Sequence, residues 1–200
     1  MILFESTNVI PVAITEEVRQ LFLEKPALKS ETQCETDFYG NQSLNREIFN
    51  WFPSKDESYT AAWDSYADCK EHPAIKAAIF NHILPKFEEF TGVKHETYAD
   101  YTLNLILSLT KMPPGGHYRI HNDEYACRYG FIWYLNKDWK WDWGGLLLTV
   151  NEEGSANVIR PIYNNLIFLD HAKSNNNWHC VTRVESFAKE PRMSIIGFIK

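Results

Sequence analysis

Residues 102–110, Thr-Leu-Asn-Leu-Ile-Leu-Ser-Leu-Thr, repeat with a period of two. Side chains of an extended chain alternate between the two faces of a sheet. Leu103, Leu105, Leu107 and Leu109 therefore share one face, and Thr102, Asn104, Ile106, Ser108 and Thr110 share the other. Such a strand needs two different environments. The leucine face is expected beneath a layer of helices, and the polar face toward a wet or ligand-holding cavity.

The chain supplies both layers. Before about residue 95 the signals are helical. Thr15-Glu16-Glu17 predicts a helix start, with Val18, Leu21 and Phe22 in helical spacing. His72-Pro73 predicts a second helix, in which Ile75, Ala78, Ile79, Ile83, Leu84 and Phe87 form one apolar, core-facing stripe. Residues 30–60 are polar and turn-rich and read as loops with one short helix. Beyond the Pro-Pro-Gly-Gly turn at 113–116, further strands are predicted over 129–136, 145–150, 157–161, 165–170, 178–184 and 192–199. Many short strands after a helical block suggest a barrel or jelly roll. The expected class is α+β, mainly β, in a single domain over 1–200, with 1–95 a helical support and 96–200 the β-rich core. A chain of 200 residues with 44% hydrophobic content has the apolar mass for one such core.

Several function classes are disfavoured. The net charge is -6 and there is no long basic run, so a nucleic-acid backbone is not an expected partner. Cys34, Cys69, Cys127 and Cys180 are scattered with no Cys-x-x-Cys pair, which argues against a zinc knuckle or disulfide framework and for reduced thiols in the cytoplasm. The N-terminus lacks the basic region of a signal peptide, and no apolar run reaches membrane-spanning length.

One constellation carries chemistry. His121-Asn122-Asp123 sets a histidine and a carboxylate two residues apart, on one face of extended chain. With a distant histidine they can form a 2-His-1-carboxylate facial triad, which leaves open coordination positions on a non-haem iron. The pattern alone is weak, because a chain with 7 His and 26 acidic residues contains about one His-x-acid match by chance. The second histidine is His179 or His171. His179 lies in the alternating run Trp-His-Cys-Val-Thr-Arg-Val, sharing a face with Val181 and Arg183, and this regularity favours it over His171. Arg192 follows 13 residues later at the start of the last strand, sharing a face with Ser194. An arginine there suits a bidentate grip on a carboxylate.

These residues resemble the prolyl-hydroxylase-like branch of the Fe(II)/2-oxoglutarate-dependent oxygenases. Tyr118-Arg119-Ile120-His121-Asn122-Asp123 is similar to the family's Y-x-x-H-x-D. Trp133-Tyr134-Leu135-Asn136-Lys137-Asp138-Trp139 resembles the Y-Y-L-N-K-D-W run of the hypoxia-inducible-factor prolyl hydroxylases. Gly144-Gly145-Leu146-Leu147, His179-x-Val181-x-x-Val184 and Arg192-x-Ser194-Ile195 follow in the family's order, so the resemblance covers 118–199. In one departure, Lys111 and Met112 stand where relatives often carry a tyrosine.

The resemblance implies a double-stranded β-helix (jelly-roll) core with Fe(II) held by His121, Asp123 and His179. It assigns the distal carboxylate of 2-oxoglutarate to Arg192, with Tyr134 and Ser194 beside it. Arg128, Asn104, Ser108 and Tyr118 are candidate substrate contacts. The implied reaction is hydroxylation of a prolyl, amino-acid or other small substrate by O2, releasing succinate and CO2, with ascorbate a compatible reductant. The competing readings are a desaturase-type outcome at the same iron and a non-redox jelly-roll module that uses a divalent ion to bind a sugar or acid. Arg192 separates the last of these, since a plain binding module has no need of a carboxylate anchor there.

Overall fold

The computed structural model describes residues 2–24, 28–29, 35–36, 42–43, 47–49, 72–93, 105–121, 123, 128–150, 155–172 and 178–199. The strands run in chain order as β1 (Ile2–Ser6), β2 (Leu28–Lys29), β3 (Glu35–Thr36), β4 (Gln42–Ser43), β5 (Glu47–Phe49), β6 (Leu105–Met112), β7 (Tyr118–His121), β8 (Tyr129–Tyr134), β9 (Leu147–Val150), β10 (Ala156–Ile159), β11 (Leu166–Asp170), β12 (Trp178–Val181) and β13 (Arg192–Ile199). Seven form a large sheet in the order β1-β11-β8-β13-β6-β5-β2, and four form a smaller sheet in the order β10-β9-β12-β7. The described pairings within both are antiparallel.

Strand parity organises the large sheet into two faces. Phe131 and Trp133 of β8, Leu166 and Phe168 of β11, Met193 and Ile195 of β13, and Leu107 of β6 pack with the helices in one buried cluster. Their alternates Ile132 and Tyr134, and Ile167 and Leu169, pack with Leu147, Ile159 and Val181 of the smaller sheet in a second. The sheets therefore face one another, and the helices cover the outer side of the larger one. Burial of each of these large apolar side chains is worth roughly 1.5–3 kcal/mol relative to exposure. Of the four leucines expected on the helix side, Leu107 is buried there, while the side chains of Leu105 and Leu109, and all of Leu103, lie outside the described residues.

Helix α1 (Val12–Glu24) starts three residues before the expected Thr15, because the Thr15 N–H donates to the Pro11 carbonyl at 3.1 Å and so closes an earlier turn. Thr15 is buried within the helix rather than capping it. The second helical segment is α2 (Pro73–Ala78), a π-helical stretch Ile79–Ile83, and α3 (Leu84–Thr91). Pro85 explains the wide turn: it has no N–H and its ring would clash with the carbonyl four residues back. The preceding Leu84 N–H instead donates to Ile79, five residues back. Every residue of the predicted stripe is buried. Gly92, at φ 68°, ends α3 with its N–H on the Glu88 carbonyl. No described helix is long and apolar enough to cross a membrane.

The N-terminal segment also contributes strands that its composition did not reveal. β1 pairs with β11, and β5 extends the large sheet beside β6. Most of 30–60, including the expected short helix, lies outside the described residues. Downstream, the predicted strands are found with trimmed ends. The run expected from 145 starts at Leu147, because Gly144 and Gly145 have φ of 65° and 64° and cannot continue a strand. The run expected to 184 ends at Val181, which leaves Arg183 in an exposed loop.

One polar residue ties helix to sheet. Asn164, at φ 60°, donates its amide to the Ile10 carbonyl at 2.6 Å and accepts from Thr15 Oγ1 at 2.7 Å and Trp133 Nε1 at 3.0 Å. Asn164→Ala would strand the buried Trp133 Nε1 and remove the side-chain donor to the Ile10 carbonyl, and it would place an alanine in a left-handed conformation. We expect a loss of about 3 kcal/mol in denaturant unfolding. A loss below about 0.5 kcal/mol would mean that this junction carries no structural load.

Candidate metal centre and anion pocket

The smaller sheet carries His121 on its edge strand β7 and His179 on the neighbouring β12. His179 in β12 is the Cα partner of His121 in β7 and of Thr149 in β9. The His121 side chain lies outside the described residues, so its backbone register is what the structure supplies. Asp123 follows β7, and its Oδ2 lies 3.2 Å from His179 Nε2. About 3 Å is the spacing of two cis donors that each sit near 2.1 Å from one ion. Both residues are buried, at 8% and 5% exposure.

A third donor stands with them. Donor atoms of Asp123, His171 and His179 all lie within 4.8 Å of one another, and the two imidazole centroids are 5.6 Å apart. Alternation favoured His179 over His171, and the structure brings both to Asp123. His171 continues the alternation of Ile167 and Leu169, whose side chains face the smaller sheet, so it points the same way. Its N–H donates to the Arg128 carbonyl at 2.7 Å, which carries the β11–β8 pairing one residue further. Burial pushes the His171 imidazole down to about 4, so it is neutral near pH 7 with a nitrogen lone pair available. The sequence signal that could have found it is its position directly after five consecutive buried residues, Leu166–Asp170.

The second cluster is built on β13. Arg192 is 1% exposed. Its Nε donates to the Gly145 carbonyl at 2.9 Å, one terminal nitrogen to Ser194 Oγ at 3.2 Å, and the other to the Tyr134 hydroxyl at 3.1 Å. Thr110 Oγ1 lies 2.9 Å from Ser194 Oγ. Burial raises the Tyr134 phenol above its ordinary range, partly offset by the Arg192 charge, so it stays protonated at neutral pH. Gly145 makes room: a Cβ there would sit 3.1 Å from Arg192 Cδ and 3.1 Å from Trp139. Asn136, wholly buried, accepts the Met193 N–H at 2.6 Å and donates to the Pro191 carbonyl at 2.8 Å, which pins the chain on either side of Arg192.

No carboxylate among the described residues pairs with Arg192. A buried guanidinium with only neutral partners is costly unless an anion joins it. The donor set of one nitrogen pair and one carboxylate suits a divalent transition metal, and the unpaired buried cation suits a carboxylate ligand.

The remaining candidates scatter. Tyr118 is buried between the sheets as the Cα partner of Val181. Arg128 is exposed, with its guanidinium carbon 4.8 Å from the Tyr129 ring centroid. Ser108 is the Cα partner of Ile196, its side chain outside the described residues, as is Asn104 entirely. The described tryptophans of 133–143 take separate places. Trp133 points into the helix-side core, Trp141 is exposed, and Trp139 packs edge-on to Trp143 at 5.3 Å.

Residues 107–200 match the sequence profile of the 2OG-Fe(II) oxygenase superfamily. A comparison with curated protein sequences finds no match. Among solved structures, the chain is similar to a Trichoplax adhaerens prolyl hydroxylase in complex with a hypoxia-inducible-factor peptide fragment, with a TM-score of 0.56 and 18% identity over 98% of this chain and 82% of that one. A Pseudomonas putida prolyl-4-hydroxylase gives 0.50 and 20% over 65% and 67%. A Phytophthora capsici prolyl 4-hydroxylase gives 0.59 and 13%, covering 94% of this chain and 53% of that one. At these identities the likeness is one of fold.

If Arg192 awaits an anion, a dicarboxylate such as succinate will stabilise even metal-free protein by mass action. We expect a dose-dependent rise in Tm of a few degrees for the wild type and none for Arg192→Met. Equal shifts in both proteins would place the anion elsewhere.

Proposed function

We propose that the protein is an Fe(II)- and 2-oxoglutarate-dependent dioxygenase that hydroxylates an unactivated C–H bond of a prolyl, amino-acid or other small substrate. The observation that carries this reading is the pairing of a buried His/Asp donor group with a buried arginine that has no acidic partner among the described residues. The two facing sheets are read as a double-stranded β-helix, with the metal between them. His121, Asp123 and His179 hold the iron, and Arg192, Tyr134 and Ser194 receive the distal carboxylate of 2-oxoglutarate. When bound, the iron and its co-substrate supply the oxidising power, coupling loss of CO2 and formation of succinate to transfer of oxygen from O2.

The chain's own residues do the rest by position and charge. Asp123 and His179 present donors at cis spacing and leave part of the coordination sphere to exogenous ligands. Arg192 neutralises the far end of the co-substrate, and the protonated Tyr134 and Ser194 hydroxyls orient the guanidinium around it. Asn136 and Gly145 hold that guanidinium in place. The apolar layer of Ile132, Ile167, Leu147 and Val181 keeps bulk water out and strengthens these charge interactions. The motif resemblance and the prolyl hydroxylases among the structurally similar proteins support a prolyl substrate, free or peptidyl. A module that binds its ligand without redox chemistry would take up metal and dicarboxylate but release no succinate.

Succinate release from 2-oxoglutarate under air tests the assignment. The wild type should show Fe(II)-dependent turnover. Asp123→Ala and His179→Ala should lower it by at least about 10³-fold, and Arg192→Met should raise the 2-oxoglutarate requirement about 100-fold. Turnover at wild-type level in either metal-site variant would refute the reading.

A further inference from the structure

Arg192 is the first residue of β13, and a side chain at a strand end is only as well aimed as the backbone that carries it. On the β8 side the ladder reaches the Tyr134–Ser194 pair, and the Leu135 N–H still donates to the Met193 carbonyl at 3.1 Å. Beyond that point the chain leaves the sheet, with Asp138 at φ 29°. The Pro191 carbonyl and the Met193 N–H, one on either side of Arg192, are taken instead by the Asn136 side chain, at 2.8 Å and 2.6 Å. One side chain finishes the ladder where the strand has ended.

An amide can do this in one orientation only. Its oxygen must face the Met193 N–H, and its NH2 must face the Pro191 carbonyl. Flipped, it would set two acceptors together at Pro191 and two donors together at Met193. The NH2 group carries a second hydrogen, and Glu190 Oε1 stands 3.2 Å from Nδ2 to accept it. An ionised carboxylate accepts and cannot donate, so Glu190 admits the NH2 and rejects the oxygen. Glu190 Oε2 faces Arg19 of α1 across a loose 3.7 Å ion pair. The guanidinium of Arg192 bonds to Gly145, Ser194 and Tyr134, so Glu190 acts on it through Asn136 and the strand backbone.

We propose that Glu190 is a positioning residue for the anion pocket: by fixing the Asn136 amide it holds β13 at Pro191–Met193 and so aims Arg192 between the sheets. The proposal rests on the reading of Arg192 as a carboxylate anchor, and adds to it a residue that works without touching the ligand. The sign of its effect separates positioning from charge. A carboxylate acting by its charge would repel an incoming anion, so its removal would tighten binding. A carboxylate acting by its hydrogen bond would weaken binding when removed.

The test titrates metal-free protein with succinate by calorimetry and does not depend on turnover. Glu190→Ala is expected to bind about five- to tenfold more weakly than wild type. Glu190→Gln keeps a carbonyl oxygen for the same bond and should stay within about twofold of wild type. Arg19→Ala removes the ion pair but leaves the Asn136 bond, and should lower unfolding stability while affinity stays within about twofold. In the Fe(II)-loaded protein the 2-oxoglutarate KM of Glu190→Ala should rise by the same factor as its succinate Kd, with kcat nearly unchanged. Unchanged or tighter succinate binding in Glu190→Ala would overturn the proposal. So would a Glu190→Gln variant as weak as Glu190→Ala, or an equal weakening in Arg19→Ala, which would place the effect in helix docking. A wild type that takes up no succinate would instead sink the anion-pocket reading on which the proposal stands.

Discussion

A guanidinium buried to 1% exposure, answered among the described residues by neutral oxygens alone, is the interaction around which the inter-sheet layer is arranged. Four segments converge to hold it: Gly145 before β9, Tyr134 at the end of β8, Ser194 on β13 itself and Thr110 of β6 through Ser194. Each contact is a hydrogen bond to an uncharged group, which orients the cation without neutralising it. The desolvation cost is therefore left partly uncompensated by the protein, and a bound carboxylate recovers it. Stability is given up at one point so that affinity for an anion is available there.

The same logic shapes the metal-donor group. Three buried donors, two from one sheet side and one from the other, face each other with few compensating protons. Such an arrangement is stable only because the surrounding layers are rigid. Helices α1 to α3 bury the outer face of the large sheet, and Asn164 bonds helix to sheet at the turn before β11. That turn leads directly to His171. The scaffold and the site are thus linked through one short strand.

Much of this was legible in the sequence because period-two alternation is a local property. The parity of β13 put Arg192 and Ser194 on one face and Met193 and Ile195 on the other, and the burial clusters divide the same way. The stripe from Ile75 to Phe87 survived even the π-helical turn that Pro85 imposes, since the local widening left each of those residues on the buried side. Other features were not legible. β1 carries no strong alternation and becomes a strand because β11 offers it an unpaired edge. Trp133 stands close to Trp139, Trp141 and Trp143 in sequence, but its position on β8 sends it to the helix-side core.

By itself the sequence determined the mainly β core, the order of its motifs and the identity of the side chains that can bind a metal and an acid. Those follow from residue type and spacing, which the chain carries whatever its neighbours do. Tertiary structure alone decided that His171 joins Asp123 and His179, that Gly130 is a gap for an imidazole, and that Arg192 has no acid beside it among the described residues. Each is a relation between segments remote in the chain, set by how two sheets stack, and no local pattern encodes the distance across that stack.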